Sequence, residues 1–164
     1  MIDVEIEDAA WTAAVPDAAA LARQAAMAAA RPRAEETIAI LLTDDETVRA
    51  LNRRFRGQEA ATNVLSFPAT VSHADHLGDI ALAFGVCARE ADEQAKPLAD
   101  HLRHLVIHGV LHLMGYDHVA GDEAETMEAI ERDLLAALGV ADPYASDRFT
   151  PDPLVQGDHV QPRR

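Results

Sequence analysis

His108 and His112 stand four residues apart, and His118 follows six residues later, beyond Gly115, in the run His-Gly-Val-Leu-His-Leu-Met-Gly-Tyr-Asp-His. On a helix, positions i and i+4 lie one above the other on the same face, so the first two imidazoles can meet at one point. A glycine at 115 can adopt the left-handed conformation that ends a helix and turns the chain back, which brings His118 round as a third ligand. Three neutral imidazoles suit one zinc ion, or a similar divalent transition metal, per chain, at roughly 2.0–2.1 Å from metal to nitrogen. They leave a fourth position open, the arrangement of a catalytic site. A closed structural zinc usually draws on several cysteines, and this chain has one.

The spacing is that of the His-Glu-x-x-His-x-x-Gly-x-x-His signature with one departure. Gly109 stands where the metalloproteases place the glutamate that serves as general base. A glycine inside a helix costs about 1 kcal/mol relative to alanine. It therefore needs a local reason, such as close approach of another backbone or room for substrate beside the metal. His104 precedes His108 by four residues, but ligands at 104, 108 and 112 would span about 12 Å of straight helix, too far for one ion. His101 and His104 are read as surface groups or as groups standing behind the ligands, and His73, His76 and His159 as loop residues. Cys87 reads as a small buried apolar side chain.

Composition narrows the classes. A chain of 164 residues with 49 % hydrophobic content can build one core. The acidic N-terminus Met-Ile-Asp-Val-Glu is unlike a signal peptide, the single cysteine cannot form an internal disulfide, and no apolar run approaches a membrane span, so a soluble cytoplasmic protein is expected. A net charge of −14 argues against indiscriminate wrapping of a polyanion. Positive charge is nevertheless concentrated locally: Arg49, Arg53, Arg54 and Arg56 fall in a stretch without an acid. A solvated helix face accounts for the first three as readily as a binding role does.

These residues need elements to hold them. Ile2, Val4 and Ile6 alternate with acids as in a half-buried strand. Pro16 opens an alanine-rich helix to about Ala30, with small residues for close packing. Thr37–Leu42 reads as a strand covered on both faces. Thr43 and Glu46 have capping-box spacing at the head of a helix whose apolar positions are Val48, Leu51 and Phe55 and which ends at Arg56 and Gly57. Val64–Phe67, stopped by Pro68, and Leu77–Phe84 read as two further strands, with an irregular loop over 69–77. A helix from Val86 breaks near Pro97, and the next, Leu98–Met114, carries His108 and His112. After His118, Asp122 heads a helix with Met127, Ile130, Leu134 and Leu138 as its apolar stripe and Gly139 as its stop. The sum is an α+β fold: one small mixed four-stranded sheet packed with about five helices, with the metal site on a helix-turn. Residues 1–144 form the domain, and 145–164, with three prolines and no periodicity, form a disordered tail.

Three blocks of this chain resemble the YbeY-type single-strand endoribonucleases: Leu51-Asn-Arg-Arg-Phe-Arg-Gly57 with Thr62-Asn-Val-Leu-Ser-Phe-Pro68; Leu77-Gly-Asp-Ile80; and the run from His108 to His118. The resemblance covers roughly residues 35–144. It implies an α+β fold, a zinc on His108, His112 and His118, a catalytic arginine at Arg56, and a part in ribosomal RNA maturation (small-subunit 3′-end processing) and ribosome quality control. Partners would be single-stranded RNA, ribosomal RNA and ribosomal components, with neither DNA nor a membrane. Gly109 is what that family has. Ala61 stands where a proline is common, and Asn63 where many members carry aspartate, so no titrating role is assigned to position 63. Residue chemistry points the same way, since a three-histidine metal polarises a phosphoryl oxygen and a guanidinium holds developing charge on phosphorus. Water and the RNA 2′-hydroxyl both remain open as nucleophile. The alternatives are a metal-dependent hydrolase of another substrate, such as a peptide, and a non-catalytic ribosome-assembly factor.

Overall fold

The computed structural model describes residues 1–69, 75–116 and 121–145. His118, most of the expected 69–77 loop and all but the first residue of the expected tail lie outside them. In chain order the elements are β1 (Ile2–Ile6), α1 (Ala10–Ala14), α2 (Ala18–Ala29), a single 3-10 turn at Arg31–Arg33, β2 (Thr37–Thr43), α3 (Asp45–Arg56), β3 (Val64–Pro68), β4 (His76–Ala83), α4 (Phe84–Glu93), α5 (Leu98–Leu113) and α6 (Gly121–Ala137).

The four strands form one mixed sheet in the order β1-β2-β4-β3. β1 and β2 are parallel, as are β2 and β4, and β3 is the antiparallel edge strand. This is the expected α+β architecture, with six helices among the described residues rather than five. The additional one is α1, too short to show a period; its Trp11 is fully buried and donates its indole N–H to the carbonyl of Thr43 at 3.0 Å.

One face of the sheet carries the larger core. Ile38, Ile40, Ile80 and Leu82 point there, against Leu102, Val106, Ile107, Val110 and Leu111 of α5. Five buried alanines of α2 let that helix lie close on α5, since a methyl side chain keeps the two backbones near each other. On the other face Val48 of α3 packs with Leu65, Ala81 and Ala83. β2 is thus covered on both faces but unevenly, the α5 side being the deeper.

Local chemistry sets the ends of the elements that matter for function. Thr43 closes β2 and donates its hydroxyl to Glu7, so it is not the cap of α3. Asp44 is: its carboxylate accepts the backbone N–H of Thr47 at 2.8 Å. Asp45 and Glu46 in the first turn and Arg53, Arg54 and Arg56 in the last suit the helix dipole. Gly57, at φ 70°, then stops the helix in the left-handed region. Pro97 precedes α5, where a missing N–H costs nothing. At its other end the N–H of Gly115 bonds the carbonyl of His112 and that of Tyr116 the carbonyl of Leu111, with Gly115 at φ 102°. That is a Schellman stop, so the expected turn after His112 is present.

Candidate active site

α5 presents His108 and His112 on one face, with Nε2 of one ring 3.2 Å from Nε2 of the other. Nitrogens at that separation, each about 2.0–2.1 Å from a shared ion, would subtend an angle of about 100°, near the tetrahedral value. The outer nitrogen of His108 is fixed as well. Its Nδ1 lies 2.6 Å from Oε2 of Glu131, on α6. A carboxylate on the far nitrogen of a histidine selects the tautomer whose near nitrogen carries a free lone pair, the usual support for a metal ligand. The donor set therefore fits a zinc-like ion. Among the described residues no group of three histidine, cysteine, aspartate or glutamate side chains is placed to hold one, and the expected third ligand, His118, lies outside them.

Glu131 escaped the sequence reading. Its side chain is fully buried, and besides His108 it takes Nε2 of His104 at 3.0 Å and the hydroxyl of Tyr144. Burial alone would raise its pKa. Hydrogen bonds from His104 and His108 outweigh that and hold it below its ordinary value, so it stays ionised. Burial pushes His104 below its ordinary value, which makes it a neutral ring donating one N–H. The expected stripe of α6 was Met127, Ile130, Leu134 and Leu138. The deepest line is instead Met127, Glu131 and Leu135, spaced i, i+4, i+8. An acid in phase with that line was the available signal, obscured by the many other acids of the helix.

His101 and His104 are not surface groups: they are 3 % and 8 % exposed. His101 Nε2 meets Glu90 of α4 at 2.8 Å, and the amide of Asn63 donates to the same carboxyl at 3.0 Å. This gives Asn63 a structural role that aspartate would not fill, since a second carboxylate facing Glu90 would repel it. Cys87 is buried as expected, and desolvation pushes its thiol pKa up.

Arg56 reaches the histidines' cleft from the other side. The αL stop at Gly57 leaves it at the end of α3, where its guanidinium donates to the carbonyl of Ser66 on β3 at 2.5 Å and lies over the ring of Phe67 at 5.5 Å. Asn52, one turn earlier, ties down the following loop by donating to the carbonyl of Ala60 at 2.9 Å. Arg56, Asn52, Gln58, Thr62, Ser66, His108 and His112 line one cleft of about 580 Å³. Arg49 and Arg53 face away from it, paired with Glu59. A larger hollow of about 680 Å³ beyond His108 holds His101, His104 and Lys96 but no arginine, so the smaller cleft is the candidate site.

Gly109 has its reason here. A Cβ at this position would come within 3.1 Å of both Ser66 Oγ and the side chain of Ile80. The helix lies close on β3 and β4 here, so any side chain at 109 would require Ser66 and Ile80 to give way by a few tenths of an ångström.

Fold and site define a class: a small α+β protein in which a paired-histidine helix faces an arginine across one cleft. Residues 3–139 match the family model described as Endoribonuclease YbeY, and the chain belongs to that family. It is 54 % identical over 156 residues to the Endoribonuclease YbeY of Maricaulis maris, a match covering 93 % of this chain and 96 % of the relative. It is 51 % identical to that of Paramagnetospirillum magneticum (87 % and 94 %) and 48 % identical to that of Pseudomonas entomophila (90 % and 96 %). The solution structure of TM1509 from Thermotoga maritima shares the fold, with a TM-score of 0.57 at 22 % identity over 93 % of this chain and 98 % of that one. Among the described residues no helix is long and apolar enough to cross a membrane.

Proposed function

We propose that this chain is a zinc-dependent, single-strand endoribonuclease acting in ribosomal RNA maturation and ribosome quality control in the cytoplasm. Its catalytic domain would be residues 1–144 and its tail 145–164. The observation that carries this reading is the single cleft lined by Arg56 on one side and by His108 and His112 on the other. Membership of a family whose relatives bear the name Endoribonuclease YbeY supports it.

Each residue has a task that follows from its geometry. Glu131 accepts the Nδ1–H of His108 and so leaves Nε2, turned toward His112, as a lone-pair donor. His108 and His112, with His118 as the third ligand, would hold the ion, which when bound supplies Lewis-acid polarisation of a phosphoryl oxygen. Arg56 spends one donor on the Ser66 carbonyl, which aims the rest of the planar fork at a phosphate in the cleft. As charge builds on the non-bridging oxygens, those donors are already in place. The peptide-hydrolase alternative lacks the base of that signature, because position 109 is a glycine with tight surroundings rather than a glutamate.

The test is cleavage of single-stranded RNA and of casein by zinc-loaded protein, with His112→Ala as control. RNA should be cut and casein left whole, and His112→Ala should lose both activity and the roughly one equivalent of zinc found by elemental analysis. Casein cleavage, or RNA cleavage that persists in metal-free His112→Ala, would overturn the reading.

A further inference from the structure

Phe55 was expected in the core of α3, alongside Val48 and Leu51. Val48 is fully buried and Leu51 half-buried, but Phe55 is 58 % exposed, one of the few large apolar side chains left in solvent. It immediately precedes Arg56, which lines the cleft, and its surroundings are specific. Its ring meets Phe67 of β3 edge-on at 5.5 Å between centroids. The guanidinium of Arg54 lies 5.2 Å from the centre of the Phe55 ring, and that of Arg56 lies 5.5 Å from the centre of Phe67. Two touching aromatic rings, each with a guanidinium against it, thus form one patch on a protein whose net charge is −14. This combination of π faces and local positive charge is what binds unpaired nucleotides irrespective of sequence. A helical duplex keeps its bases stacked on one another and has no free face to offer, so the surface discriminates by strandedness.

We infer that Phe55 is a stacking platform for a base of single-stranded RNA next to the nucleotide whose phosphate Arg56 receives. The inference rests on the endoribonuclease reading and adds to it a base subsite outside the cleft. Phe67 holds the platform from below through its edge contact, and Arg54 supplies positive charge to the nucleotide's backbone.

The experiment measures binding of a short single-stranded RNA carrying 2-aminopurine at successive positions, using full-length zinc-loaded wild-type, Phe55→Leu and Phe55→Trp proteins. Leucine keeps apolar bulk and suits a helix but has no π face. In the wild type one position should lose 2-aminopurine fluorescence on binding, the mark of stacking. Phe55→Leu should abolish that quench and weaken binding by roughly 5- to 150-fold, the range for one stacked base. The loss should not change with salt, because no phosphate contact is removed. Phe55→Trp should restore both, and zinc content and thermal midpoint should match the wild type throughout. Wild-type affinity and quench in Phe55→Leu would overturn the platform alone. Failure of the wild type to bind or cut the RNA would overturn the endoribonuclease reading and the platform with it.

Discussion

α5 meets two carboxyl groups along its length, and the two meetings have different consequences. His101, at the end of its first turn, bonds Glu90, which also takes Asn63; His104 and His108, further along, bond Glu131, which also takes Tyr144. The bonds are of one kind, imidazole N–H to carboxyl oxygen. What differs is the second nitrogen of each ring. Nδ1 of His101 is buried and has no hydrogen-bond partner among the described residues, and the same holds for Nδ1 of His104, whereas Nε2 of His108 faces His112 beside the cleft. A histidine–carboxylate pair braces a fold when its far nitrogen is buried and prepares a ligand when that nitrogen opens onto a site.

The sharpest test of this contrast lies across the cleft. Arg56→Ala should lower RNA cleavage by about 10²–10³, the usual cost of one transition-state donor, with zinc content unchanged. Arg56→Lys should recover only part of that, because it keeps the charge and loses the fork. Wild-type rates in both variants at saturating RNA would remove Arg56 from the chemistry. Next in size is the metal. Glu131→Leu should weaken zinc binding by about 10–100-fold in chelator competition, while Glu131→Gln, which keeps an acceptor for His108, should lose less. If Glu90→Leu weakened zinc binding as much, the two carboxyl clusters on α5 would not differ in the way described.

Glu90→Ala should instead cost stability, about 1–3 kcal/mol by urea denaturation, because the N–H groups of His101 and Asn63 lose a partner. Glu90 keeps a quarter of its side chain in solvent, so water will replace part of the loss and the lower figure is favoured. A larger drop would mean that the N-terminal cluster is as closed as the Glu131 cluster.

The smallest effect is on pH dependence, and both carboxyl clusters should share it. Burial holds His101 and His104 below their ordinary value of 6.5. The unfolded chain therefore takes up protons that the folded rings refuse as pH falls through that value, and stability declines. It should be fully present above about pH 6.5 and shrink below it, with a second loss from Glu131 below its ordinary 4.5. Thermal midpoints by circular dichroism at about pH 8 and 5.5 should differ by several degrees. Equal midpoints would show that the folded rings protonate as readily as free ones.

Much of this was legible in the sequence because it repeats. The alternation of Ile2, Val4 and Ile6, the i, i+4 pair His108 and His112, and the stop at Gly115 are local patterns with local causes. Glu131 and Tyr144 were not legible. Their role depends on α6 and the segment after it folding over α5, which no window of sequence shows. Phe55 failed for a different reason: its helical phase is right, but Phe67 of β3 meets its ring edge-on and leaves it 58 % exposed. The cap of α3 moved from Thr43 to Asp44 because β2 claims Thr43 for its last position.

The order of these parts along the chain also sets the order in which they can be made. All four described strands lie within residues 2–83, so the whole sheet is synthesised before α5. The histidine pair comes next, and the carboxylate and hydroxyl that fix His108 come from positions 131 and 144. Synthesis proceeds from the N-terminus at about 5–20 residues per second. A nascent chain thus carries its strands for several seconds before its cleft can be completed, and a product cut short before Tyr144 would present the edge of α3 and β3 proposed to face RNA without the fully buttressed histidines needed to act on what it holds.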